Sequence, residues 1–129
     1  MPVEVTWYLE DRIIYSKYSG NVTIEDVRNG TQQVKKFAYQ GTPLVHNIAN
    51  MLEIETFPKN LRQIRNAIEQ LDNNILGWTV IINRNKLLRF IVSTVSQLAR
   101  ARFLIFDNQE DALAFLYRMD ASLPKQANR

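Results

Sequence analysis

The chain has no cysteine, a single histidine (His46), four glycines and four prolines among 129 residues. The first absence excludes a disulfide scaffold, cysteine metal clusters and thiol chemistry. A lone imidazole leaves any zinc site to be built mostly from carboxylates, an unusual ligand set, so neither a metal nor another cofactor is expected. The glycines stand far apart, at 20, 30, 41 and 77, and none opens a G-x-x-x-x-G-K or G-x-G-x-x-G phosphate loop. No serine sits in the G-x-S-x-G frame of a nucleophile elbow, and enzymatic activity is not expected. Long apolar runs are missing too: Ile75 to Ile82 and Phe103 to Phe106 fall far short of the roughly 20 residues that span a bilayer. Glu4 and Glu10 lie where a secretory signal needs a basic start and an apolar stretch, so a cytoplasmic location is the expectation. What remains, 46% hydrophobic and 22% charged residues, is the composition of one ordinary globular domain. It is expected over residues 1–123, with 124–129 a disordered tail that has nothing to bury.

Val3, Val5, Trp7 and Leu9 alternate with Glu4, Thr6, Tyr8 and Glu10, the period-two pattern of a strand with one buried face. After Glu10-Asp11-Arg12, the β-branched and aromatic stretch Ile13 to Ser19 predicts a second strand paired to the first as a hairpin. Thr23 with Asp26 three residues later resembles a capping box. Ile24, Val27, Thr31, Val34 and Ala38 then recur at helical spacing over Thr23 to Tyr39, a helix weakened by Gly30 in its middle. Gly41-Thr42-Pro43 breaks the chain before a strand from Leu44 to Ala49. The second helix is predicted to open with Pro58 as its first residue and to run through Leu61, Ile64, Ile68 and Leu71. Trp78 to Ile82 is continuously apolar, as a strand covered on both faces requires. Leu87, Leu88, Ile91, Val92, Val95, Leu98 and Ala99 mark a third helix, Phe103 to Phe106 a short strand, and Ala112, Phe115, Leu116 and Met119 a last helix capped by Asn108. The order ββαβαβαβα predicts an α/β domain: a mixed five-stranded sheet whose parallel strands are joined by right-handed crossovers, with four helices. Trp7, Phe37 and Trp78 are expected in the core. Tyr8, Tyr15 and Tyr18 are candidates for an outer face of the hairpin, where an exposed aromatic row would mark a protein contact or a dimer seam.

The net charge of +3 is small, but its distribution is uneven. From Lys59 to Arg102 there are eight basic residues and only Glu69 and Asp72 against them. Lys59, Arg62 and Arg65 recur every third residue and so are expected on one flank of the second helix. Arg84, Lys86 and Arg89 straddle the start of the third. Neighbouring helices would merge these into one cationic surface suited to an acidic protein or to phospholipid head groups, with helix dipoles adding to the attraction. Phe57, Phe90 and Phe103 sit in or beside apolar periodic positions and offer no stacking platform, which argues against nucleic acid.

The hairpin ending at Gly20, the segment Gly20-Asn21-Val22-Thr23-Ile24-Glu25-Asp26 entering the first helix, and Phe106-Asp107-Asn108-Gln109-Glu110-Asp111-Ala112-Leu113 entering the last carry a resemblance. With the order of elements, they make the chain resemble the STAS domains of sulfate transporters and anti-sigma-factor antagonists over nearly its whole length. The resemblance implies a phosphorylatable Ser or Thr, usually after Asp, at the start of the helix following the third strand. Here the matching stretch is Glu53-Ile54-Glu55-Thr56-Phe57-Pro58-Lys59-Asn60-Leu61. Thr56 alone supplies a hydroxyl, Glu55 replaces the Asp, and Phe57-Pro58 replace the small residues of the motif. This departure points to a degenerate STAS-like chain that keeps the scaffold, with Thr56 the one candidate for phosphorylation and a helix cap as the preferred reading of it.

The resemblance further implies a non-catalytic interaction module of bacterial cytoplasm, in sigma-factor or membrane-linked signalling. The expected contact surface comprises Thr56, Lys59, Arg62, Arg65, Arg84, Lys86 and Arg89, facing an acidic protein partner, with a homodimer and peripheral membrane contact as further possibilities. A second class of function is a carrier of a lipid-like or anionic ligand between helices and sheet, under the basic rim. A third, a metal-dependent hydrolase built on His46, Glu53 and Glu55, lacks a third acidic ligand, and His46 is better read as a satisfied strand residue.

Overall fold

Residues 2–68 and 72–124 are described by the computed structural model. The alternating start of the chain folds into antiparallel β1 (Val3–Leu9) and β2 (Ile13–Asn21), turned by a loop in which Asp11 takes the left-handed conformation at φ 71°. Then follow α1 (Ile24–Gln40), β3 (Val45–Thr56), α2 (Leu61–Ala67), β4 (Leu76–Ile82), α3 (Lys86–Leu98), β5 (Phe103–Phe106) and α4 (Gln109–Met119). The sheet order is β1-β2-β3-β4-β5, parallel from β2 onward. Each parallel strand is laid down beside the last in the same direction, so right-handed crossovers put α1, α2 and α3 on one face. The other face is left to α4, which follows the last strand. The ββαβαβαβα order, the mixed sheet and the four helices are those expected from the residue pattern.

Alternation along each strand builds two cores. On the α4 face, Ile13, Ile48, Val80 and Ile82 pack with Ala112, Phe115, Leu116 and Leu123, while Trp78 meets Phe115 edge to face at 4.9 Å. On the other face Ile14 and Val45 pack with Val34 and Ala38 of α1, and Trp7 lies edge to face on Phe37 at 5.3 Å. Each fully buried Ile or Leu contributes about 1.5–3 kcal/mol.

The tyrosines differ from expectation. Tyr18 is buried against α1, and Tyr8 and Tyr15 are half-buried against the α4 core, so no exposed aromatic row forms on the hairpin. Gly30 explains why Tyr18 turns inward: a Cβ there would lie 2.3 Å from the Tyr18 hydroxyl oxygen, so the helix accepts a glycine to let the ring in.

Two boundaries also differ. β3 runs on to Thr56 because β2 pairs with it as far as Asn21, so Glu53 and Glu55 are strand residues rather than a loop. The amphipathic signal fades beyond Asn50, where the strand's outer end is largely exposed. α2 begins at Leu61 and not at Pro58; its cap is Asn60, whose Oδ1 accepts the Gln63 N–H at 3.0 Å. Leu71, expected in this helix, and the tail beyond Pro124 lie outside the described residues. α1 and α4 start as their capping residues predict, with Thr23 and Asp26 exchanging both bonds of the capping box and Asn108 accepting the Asp111 N–H at 2.8 Å.

Candidate functional site

The basic residues take different places from those a single helix flank would give. Lys59 precedes α2 and lies over the Phe57 ring, its Nζ 4.9 Å from the centroid. Arg62 points to solvent. Arg65 lines a cavity beneath the helices. Arg84 donates from Nε to the Asp107 carbonyl at 3.0 Å, and Arg89 pairs with the Asp107 carboxylate while its Nε donates to the Asn83 carbonyl at 2.7 Å. Lys86 is exposed at the first position of α3. Thr56 is the last residue of β3, five residues before α2, and its hydroxyl donates to Asn21 Oδ1 at 2.9 Å. It therefore neither caps a helix nor stands at a helix start, because the chain spends 57–60 crossing from strand to helix.

His46 is 1% exposed and fully engaged. Its Nδ1 accepts the Trp78 backbone N–H at 2.9 Å, which fixes the proton on Nε2, 2.7 Å from Asp120 Oδ2. Arg12 closes the group from the other side, its guanidinium 3.1 Å from the same carboxylate oxygen and bonded to the Leu44 carbonyl. Burial lowers the His46 pKa, only partly offset by Asp120, so the imidazole is neutral. Burial alone would raise Asp120, but hydrogen bonds from Ser122 and His46 outweigh it and hold the carboxyl at about 2. This is a clasp joining β3, β4, the hairpin turn and the end of α4. Glu53 lies seven residues along the same strand, roughly 23 Å away at 3.3 Å per residue, and pairs with Lys17 at 3.2 Å. The hydrolase grouping of His46, Glu53 and Glu55 is thus not assembled, and among the described residues no three metal-ligating side chains converge.

Two further features define the site: the first lies where the carrier reading puts its ligand, and the second escaped the sequence. The first is a cavity of about 630 Å³ between the sheet and the layer of α1, α2 and α3. It exists because α3 leans on α2, through Ile91 and Val95 against Ile64, rather than lying down on the strands. The second is the outer face of α3. Leu88, Ile91 and Val95 point inward, yet Leu87, Phe90 and Leu98 point outward and are 48%, 62% and 52% exposed. Phe90, expected among the apolar periodic positions, is therefore an exposed ring on the side that α2 does not cover. The signal was present as two interleaved apolar stripes, 87-90-98 and 88-91-95, in one helix.

No family model and no curated protein matches the sequence. Solved structures do. An uncharacterized protein of the DUF3478 family with a SpoIIAA-like fold, from Shewanella loihica, superposes with a TM-score of 0.61 at 17% identity, covering 88% of this chain and 91% of that one. An anti-sigma factor antagonist from Mycobacterium paratuberculosis superposes with a TM-score of 0.59 at 13% identity, with the same coverage. The fold is STAS-like. Identities this low establish the scaffold alone, and function must be argued from the surface that this STAS-like chain presents. No helix among the described residues is long and apolar enough to cross a membrane.

Proposed function

We infer that the chain is a non-catalytic interaction module whose contact surface is the outer face of α3 and the basic residues at its start. The observation that carries this reading is the exposed triplet Leu87, Phe90 and Leu98 on a helix whose opposite face is already buried. Exposed apolar side chains aligned on one helix mark an interaction site in a water-soluble domain. An aromatic anchor beside arginines is the composition of a binding hot spot. At the start of α3 the basic residues Arg84, Lys86 and Arg89 outnumber the acidic Asp107 on which two of them gather, so the surface suits a partner that is apolar at its centre and acidic at its rim. The likeness to an anti-sigma factor antagonist supports a protein as that partner, and a bacterial cytoplasmic signalling role with it.

Of the residues proposed from the sequence, Lys86, Arg84 and Arg89 belong to this surface, and Lys59 adjoins it: Phe57, over which Lys59 lies, shares a cleft with Arg84 and Leu88. Arg62 is proposed to contribute charge only. Phosphorylation of Thr56 would add a dianion next to Asn21 with no helix start beneath it, and the proposed contact does not require it.

The test is a comparative pull-down with wild type, Leu87→Lys plus Phe90→Glu, and Arg118→Glu, an exposed position on α4, as a charge control. A partner retained by wild type and the control but lost from the α3 variant supports the reading. Equal recovery by all three removes it.

A further inference from the structure

The cavity beneath the helices is polar at one end and apolar at the other. Its far end, toward the carboxyl ends of the strands, is walled by Met51, Ile54, Phe57 and Leu88. At the opposite end stand Arg65, Arg100 and Arg102, the only charged side chains among the described lining residues. Arg65 and Arg100 are exposed as well as lining, so the cavity meets solvent at this cationic end. A space of this volume is within the range of small-molecule sites, whose walls are mostly apolar with a few placed polar groups.

Two details mark the cationic end as more than a packing gap, beside a floor on which Asn47 is 6% exposed and its Oδ1 accepts the Ser16 hydroxyl at 3.1 Å. Arg102 is held by hydrogen bonds from its NH2 to the Asn73 and Leu76 carbonyls, yet its Nε is buried without a partner. Buried donors left unpaired are costly, and a ligand acceptor removes the cost. Arg100 sits at φ 55° just past the end of α3, where its N–H bonds Gln97 and the next N–H bonds Ser96, a helix-ending motif that favours glycine. An arginine at that position carries backbone strain while placing its charge at the opening.

We propose that this cavity binds a single-chain amphipathic anion, its acidic head among Arg65, Arg100 and Arg102 and its hydrocarbon tail running toward Phe57 and Leu88. Head and tail each match the end they occupy: the guanidinium groups suit a carboxylate or a phosphate, and the tail displaces no well-bonded water from an apolar wall. The inference stands on different residues from the α3 surface, so either can fail alone.

Isothermal titration of the full chain below micelle concentrations tests it, with three ligands that share one tail: laurate, dodecyl phosphate and dodecyltrimethylammonium. Wild type is expected to bind at least one of the two anions at one per chain, at least tenfold tighter than the cation; the tighter of the two identifies the head group. Arg65→Glu plus Arg100→Glu alters exposed positions, and a retained melting transition verifies its fold. It is expected to lose at least tenfold for the anions and to reverse the preference. Ala49→Phe, which fills the floor, is expected to abolish binding of all three. Absence of binding, equal binding of anion and cation, or a preference unmoved by charge reversal overturns the proposal.

Discussion

A Cβ placed on Gly77 would lie 2.4 Å from both Cε1 and Nδ1 of the His46 imidazole. The pairing of β3 with β4 slips between Val45 and Asn47, and there the imidazole takes the Trp78 N–H that the slip leaves over. Glycine at 77 and histidine at 46 are thus one device: the missing side chain makes room for the ring that satisfies the backbone. Gly77→Ala is expected to cost about 2–3 kcal/mol in the range of overpacked core substitutions. In a His46→Ala background the same change should cost under about 1 kcal/mol. Denaturant titration of the two singles and the double decides it; additive costs would contradict the coupling.

The same ring makes stability depend on pH with a fixed sign. The folded-state pKa of His46 lies below its ordinary 6.5, so below that pH the unfolded chain takes up a proton that the folded chain resists. Stability is full above 6.5 and falls as the pH drops below it. Asp120, held at about 2 against an ordinary 3.8, adds a second loss that begins only below 3.8. Because His46 is the only histidine, a melting temperature that falls from pH 7.5 to pH 5 and becomes flat over that interval in His46→Asn is the expected result. An unchanged slope in the variant would place the titration elsewhere.

Arg100→Gly should raise stability. A non-glycine residue in the left-handed region costs about 1 kcal/mol or more, which for a domain of this size is a rise of roughly 3–5 °C in Tm. The bonds that end α3 are backbone bonds and survive the substitution. Calorimetry of both chains measures it, and a lower Tm would show that the Arg100 side chain holds the loop.

The fold was legible in the residues because each strand and helix carries a local periodicity, and the caps at Thr23 and Asn108 mark where two helices open. Legibility failed where tertiary pairing overrides local signal. β3 is extended by seven exposed or half-exposed residues, Asn50 to Thr56, that partnership with β2 keeps in a strand. Proline and threonine near 56–58 imitate a helix start, but Asn60 supplies the acceptor. Gly30 reads as a defect in α1 until Tyr18 is seen beneath it. For the candidate site, the positive stretch was visible as composition, whereas its use was not: Arg84 and Arg89 are drawn to Asp107, and Arg65 and Arg102 turn to a cavity that depends on how α3 leans on α2.

The α3 surface is tested most directly by replacing Phe90 with a photo-crosslinking phenylalanine analogue in living cells, with the same analogue at exposed Glu110 on α4 as the reference position. The account predicts an adduct of one partner species from position 90 and none from position 110. Crosslinking that is equal at the two positions, or absent from position 90 while the protein remains folded, would contradict it.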